Sequence, residues 1–262
     1  MMEKRNDEKG RHRVKFDLLI HDLKVPLAVV EAGILSLLNK QDKFGSISEK
    51  QEKVLRRILR NTLVTRRLVD DTMEIGRSSE GIINRSVFQL SELVEGCLIE
   101  IFDLIDWNIS EKIRNCSDYA TLKDLLPAKG IFLEIEEPLW GKELCLDSRK
   151  MTQILRNLLG NALKFCKSKV TLTIQEGNGN LIVHVEDDGD GIPSELHQKI
   201  FECYFQIEGE GQHCVRGHGL GLAGVMVLIE DMGGEMLLKS DVGKGATFSV
   251  KLPLASSSYP SR

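Results

Sequence analysis

Basic residues do not dominate this chain: 35 Lys or Arg stand against 39 Asp or Glu, a formal charge of -4. It therefore lacks the footprint that neutralising a run of nucleic-acid phosphates requires, and nucleic acid is excluded as an expected partner. Six cysteines (Cys97, Cys116, Cys145, Cys166, Cys203 and Cys214) include no C-x-x-C pair and no Cys/His cluster at metal-ligand spacing. A zinc module is excluded, and the pattern is that of reduced thiols. No run of about 18 apolar residues is present to span a bilayer. The charged start M-M-E-K-R-N-D-E-K-G-R-H-R is no signal peptide. Aromatics are scarce and repeats are absent, while 42% hydrophobic and 28% charged residues place the chain among soluble globular proteins. Its 262 residues suffice for one large domain or two ordinary ones.

What is present starts with a helical seam. Phe16, Ile20, Leu23, Leu27, Val30, Ile34 and Leu37 alternate steps of four and three, which makes one face of a bundle helix. The polar stretch Asn39 to Ser46 interrupts it. A second helical run opens at Ser48 and reaches Ile75, with a broad apolar stripe through Val54, Ile58, Leu59, Leu68, Val69 and Met73. Two such helices form a hairpin that cannot hide its own stripe, so dimerisation into a four-helix bundle is expected. G-R-S-S-E-G at Gly76 to Gly81 reads as a helix end and linker, giving domains 1–80 and 81–255 with a tail 256–262. The second domain reads as an α/β two-layer sandwich, so the fold class is α+β. Its expected elements are a helix at Ser91 to Leu104, a strand I-F-L-E-I-E and a helix at Ser148 to Phe165. Two strands follow around E-G-N-G-N, then a helix from Ala223 to Met232 and two closing strands. The stretch from Asp106 to Lys129 has no clear period.

Three segments of the second domain carry chemistry. In N-L-L-G-N-A-L-K, the residues Asn157, Asn161 and Lys164 fall four and three apart on a helix and share one face. Amide oxygens suit Mg²⁺ when water and phosphate oxygens complete its shell, and a lysine compensates phosphate charge. Taken alone, this is more simply the polar face of an amphipathic helix. D-D-G-D-G at Asp187 to Gly191 follows a strand. Its glycines allow a base to approach the backbone, and Asp187 can accept the exocyclic amine proton of adenine. The other readings of that segment are a tight turn or a calcium loop, and Gln198 at the twelfth position lacks the bidentate carboxylate of an EF-hand. G-H-G-L-G-L, with Gly219, Leu220 and Gly221, runs into a helix whose N-terminal N–H groups can hold phosphate.

In this order the three segments resemble the N, G1 and G2 boxes of an ATP-binding family. Sensor histidine kinases, type II topoisomerases, mismatch-repair ATPases and ninety-kilodalton heat-shock chaperones share it. K-I-F-E-C-Y-F-Q-I at Lys199 to Ile207 is similar to the F box of the kinases, and H-D-L-K-V-P-L at His21 to Leu27 to their H box. The resemblance implies a protein histidine kinase of a two-component system, with ATP and Mg²⁺ as cofactors. His21, flanked by Asp22, would accept the γ-phosphoryl group and pass it to an aspartate on the receiver domain of a response regulator. It also implies Asn161 as the metal ligand with Asn157 assisting, Lys164 and Arg216 as phosphate contacts, and Asp187 as the adenine reader. Gly189, Gly191, Gly219, Leu220 and Gly221 would form the cradle. A homodimer in the cytoplasm is expected, as a whole protein or as a soluble fragment of a larger sensor. A phosphotransfer scaffold with an inactive ATP domain, or an ATPase of the same superfamily, remain the alternatives. The sequence departs from the family pattern at Val25, where Thr or Asn is usual, at His218, at Cys166, and in a long stretch from Phe102 to Lys129. Val25 argues against phosphatase activity, because it cannot hydrogen-bond a water.

Overall fold

The computed structural model describes residues 22–78, 83–202, 205 and 221–254. Between Gly76 and Arg77 the chain divides into two compact units.

The first unit is built from α1 (22–39), the short α2 (Gln41–Phe44) and α3 (Glu49–Ser78). Ser48 and Gln51 cap α3 reciprocally. The Ser48 N–H donates to Gln51 Oε1 at 2.8 Å, and the Gln51 N–H donates to Ser48 Oγ at 3.3 Å. This is a capping box, which satisfies two of the helix's orphan donors. Lys24 pairs with Asp70 and Glu31 with Arg66, so α1 and α3 run antiparallel. Ile34, Leu59 and Leu63 are buried between them, while Leu23, Val30, Val54 and Ile58 stay exposed. Part of the apolar stripe is therefore uncovered by the hairpin itself. Where a helix end was expected at Gly76, α3 continues to Ser78. A single glycine costs a helix only about 1 kcal/mol, which a long neighbouring run offsets.

The second unit opens with β1 (Ser86–Gln89), α4 (Leu90–Ile105), α5 (Trp107–Arg114) and α6 (Tyr119–Leu125). Then come β2 (Ile131–Ile135), α7 (Glu137–Trp140), β3 (Glu143–Leu146) and α8 (Ser148–Phe165). It closes with β4 (Val170–Gly177), β5 (Asn180–Asp187), α9 (Gly221–Asp231), β6 (Glu235–Ser240) and β7 (Ala246–Pro253). Among the described residues, five strands make a mixed sheet in the order β2-β4-β5-β7-β6, of which only β2 and β4 are parallel. Asn178 and Gly179, both at positive φ, join β4 to β5 in a two-residue turn of the twist that hairpins favour. Alternate residues of β4, β5 and β7, among them Leu172, Val183 and Phe248, are buried on one face of the sheet. Against that face lie α8 and α9, with α4 packed on α8.

The stretch without a clear period belongs to this core. Asp106 and Asp118 cap α5 and α6 by accepting from Asn108 and Thr121 N–H groups at 3.1 and 2.8 Å. Ile109, Ile113, Tyr119, Leu122 and Leu126 are buried. Tyr119 stacks on Trp140 with ring centroids 4.6 Å apart. Its hydroxyl donates to the Ile135 carbonyl at 3.0 Å and accepts from the Ile135 N–H at 3.1 Å. In this way α6 satisfies the Ile135 backbone groups at the open edge of β2, which would otherwise be buried unpaired. The small sheet of β1 and β3 was not expected either; each strand is only four residues long.

Candidate functional site

α8 is amphipathic. Met151, Ile154, Leu155, Leu158 and Ala162 are buried, whereas Asn157 and Asn161 are half-buried and Lys164 is exposed. Asp147 starts the helix by accepting the Lys150 N–H at 3.2 Å. The polar face thus follows from the helix burying its other side. Lys164 Nζ lies 4.7 Å from the centre of the exposed Phe165 ring.

The turn after β5 lies against the end of α8. A methyl group on Gly189 would stand 2.4 Å from the Phe165 carbonyl oxygen and 2.7 Å from Asp187 Oδ1, so no side chain fits there. Gly191 has φ of +72°, and a methyl on it would meet the Asp241 carbonyl oxygen at 1.9 Å. Its requirement for glycine comes from the β6–β7 loop. That loop and the end of β6 hold the turn again, where Gly243 N–H donates to the Asp190 carbonyl at 2.7 Å and Ile192 N–H donates to Ser240 Oγ at 2.8 Å. α9 begins beside α8, since a methyl on Gly221 would lie 3.7 Å from Asn157 Oδ1.

The two carboxylates of the turn differ in environment. Asp187 is buried and accepts the Gly189 N–H at 2.9 Å. Burial raises its pKa above the ordinary carboxylate value, against the pull of the Gly189 and Ala246 N–H groups. Asp188 accepts from the loop that leaves α8, and the Ser168 hydroxyl and the backbone N–H groups of 167–169 hold its pKa far down. Burial, with the charges of Asp188 and Asp187, pushes the Cys166 thiol up.

The structure thus sets Gly221 beside Asn157, and Asp187 and Gly189 against Phe165 at the end of the same helix, with Asn161 and Lys164 on the same face of α8 as Asn157. His21, Arg216, Gly219 and Leu220 lie outside the described residues; Asp22, the first described residue, is exposed. Among the described residues, no group of three or more His, Cys, Asp or Glu side chains could hold a metal by itself. The hard oxygens of Asn157 and Asn161 suit Mg²⁺ as a minority of its ligands, with phosphate and water completing the shell.

Comparison with known proteins assigns the fold. Residues 146–256 match the family described as histidine kinase-, DNA gyrase B-, and HSP90-like ATPases. These residues belong to that ATPase family. The "Sensor protein SrrB" of Staphylococcus aureus (strain NCTC 8325 / PS 47) is 26% identical over 239 residues, covering 89% of this chain and 36% of that protein. The chain therefore spans about a third of the length of the curated relatives it matches. Full-length ShkA in complex with AMPPNP superimposes with a TM-score of 0.60 at 26% identity, over 95% of this chain and 47% of that one. The Acinetobacter baumannii histidine kinase AdeS gives 0.53 at 20% identity, over 90% and 98%, and speaks for the fold alone. This is a histidine kinase-type ATPase domain with a helical hairpin ahead of it in the chain. Among the described residues, no helix is long and apolar enough to cross a membrane.

The ATPase domain holds its G1 turn with residues that motif reading passed over. Gly245, at φ +75°, would bring a methyl to 1.9 Å from the Asp187 carbonyl oxygen, and Ser240 Oγ donates to the Gly245 carbonyl at 2.7 Å. The signal available for them was G-K-G in the loop before the last strand.

Proposed function

We propose that this protein is a dimeric, ATP-dependent protein histidine kinase that phosphorylates itself on His21 and passes the phosphoryl group to an aspartate of a response regulator. The observation that carries the nucleotide half of this reading is the buried Asp187 in a turn packed on the end of the helix that bears Asn157 and Asn161. In this scheme the Asp187 carboxylate accepts the exocyclic amine of adenine, and Lys164 and Arg216 lie along the phosphates. Gly189, Gly191, Gly219, Leu220 and Gly221 supply close backbone. Asn161, helped by Asn157, would hold Mg²⁺, which when bound neutralises charge on the phosphate oxygens. The imidazole lone pair of His21 attacks the γ-phosphorus. An N–P bond forms, the bond to the β–γ bridging oxygen breaks, and ADP leaves. Asp22 polarises the proton on the other ring nitrogen, raising the nucleophilicity of the attacking one.

Dimerisation is supported by the exposed Leu23, Val30, Val54 and Ile58 on the hairpin, a stripe that a second copy would cover. Ile58→Glu is expected to turn a dimer into a monomer in light scattering.

The deciding experiment incubates the protein with γ-labelled ATP and Mg²⁺ and compares it with His21→Gln and Asn161→Ala. Acid-labile, alkali-stable label that both changes abolish supports the kinase. Tight ATP binding without label would replace it by the scaffold, and phosphate release indifferent to His21→Gln by the ATPase.

A further inference from the structure

Asp188 has no role in the scheme above, yet its carboxylate meets four donors. Oδ1 accepts the backbone N–H groups of Lys167, Ser168 and Lys169 at 2.8, 3.0 and 3.0 Å. Oδ2 accepts the Ser168 hydroxyl at 2.6 Å, and the Ser168 N–H lies 3.1 Å from it. The Asp188 N–H in turn donates to the Lys169 carbonyl at 3.2 Å. All these donors belong to the segment joining α8 to β4, directly after Phe165. The carbonyl of Phe165 is the group that comes so close to Gly189. One side chain therefore ties the end of the asparagine-bearing helix to the start of the turn that carries Asp187.

We propose that Asp188 is a positioning residue of the nucleotide site. By clamping residues 167–169 it sets where the Asp187 carboxylate stands relative to Asn157, Asn161 and Lys164. It acts through Asp187, and the inference rests on Asp187 reading adenine. Acceptance of hydrogen bonds, and not charge, is what the clamp needs. An asparagine at this position can still accept the three amides with its oxygen, while the Ser168 hydroxyl rotates to accept from the new NH₂ group. Removing the acceptor leaves several backbone N–H groups to find water and lets the turn drift, and small displacements at a binding site are costly.

The test measures ATP and GTP binding to the full chain by calorimetry with Mg²⁺, together with kcat and KM of autophosphorylation. Asp188→Ala is expected to weaken ATP binding about tenfold or more and to narrow the preference for ATP over GTP. It should raise KM with kcat at saturating ATP within about twofold. Asp188→Asn restores affinity to within about threefold of the parent, and so does Ser168→Ala, which keeps every amide donor. Should Asp188→Ala fail to fold, Asp188→Ser, with one acceptor, takes its place under the same criterion. Parental affinity and ATP preference in a folded Asp188→Ala would overturn the proposal. An Asp188→Asn as weak as Asp188→Ala, or a fall in kcat at constant KM, would also sink it. A parent protein that binds neither nucleotide, or both equally, removes the adenine reading itself; an ATP-selective parent with equally selective variants removes only the clamp.

Discussion

Replacing Asp187 by asparagine should move stability and nucleotide affinity in opposite directions. The carboxylate is buried at 7% exposure, and burial is the largest influence on it, raising its pKa from the ordinary 3.8. A carboxyl whose folded pKa lies above its unfolded one stabilises the fold fully below the unfolded pKa. That contribution is lost as pH rises through the folded pKa. In its ionised form Asp187 is thus a cost to the nucleotide-free protein. The substituted asparagine carries no charge to desolvate, and its oxygen can still accept the Gly189 N–H that now stands 2.9 Å from Asp187 Oδ1. Its NH₂ group would then face the exocyclic amine of adenine, donor against donor. A hydrogen bond to a charged group contributes about 1.5 to 3 kcal/mol, so ATP affinity should fall about ten- to 150-fold. Calorimetric titration with ATP and thermal melting at neutral pH measure the two effects together. The variant should melt no lower than its parent. The parent's ATP affinity should fall on acidification as Asp187 takes up its proton, while the variant's stays flat. An Asp187→Asn protein that binds ATP within about threefold of the parent refutes the reasoning. So does one whose lost affinity is matched by a lower melting temperature.

Tyr119→Phe keeps the stack on Trp140 but strands the buried Ile135 N–H. This should cost about 1 to 3 kcal/mol, read as a melting temperature lower by about 2 to 4 °C per kcal/mol. Gly189→Ala places a methyl 2.4 Å from the Phe165 carbonyl and must push the turn off α8, so ATP binding should weaken more than tenfold in equilibrium titration. With Val25 in place, the ADP-bound protein should dephosphorylate its phosphorylated regulator slowly. Val25→Thr should speed that reaction in a phosphate-release assay, because a hydroxyl can orient water.

Motif-bearing elements were legible where local chemistry decides. The helix Ser148–Phe165 was readable to the residue, because its apolar period and the capping Asp147 both act within a turn or two. The β4–β5 hairpin was readable for the same reason, since Asn178-Gly179 suits two successive positive φ values. The pair β1 and β3 was not legible: four residues give too little alternation, and β1 is largely exposed. Nor were α5 and α6, whose buried residues are spread over two short helices and become a core only against α4 and β2.

From the sequence alone came the inventory and its order: two amphipathic helices, then an asparagine face, an aspartate-glycine turn and a glycine-rich helix start. Periodicity, capping and glycine's conformational freedom are properties of neighbours in the chain, so the chain displays them. Tertiary structure decided what each residue is for. Gly189, Gly191 and Gly245 are needed because carbonyls of Phe165, Asp241 and Asp187 close on them from elsewhere in the chain. Of the two adjacent carboxylates, one is buried in the turn and the other clamps the end of α8. Excluded volume and desolvation depend on which groups arrive from a distance, and spacing in the sequence does not contain that.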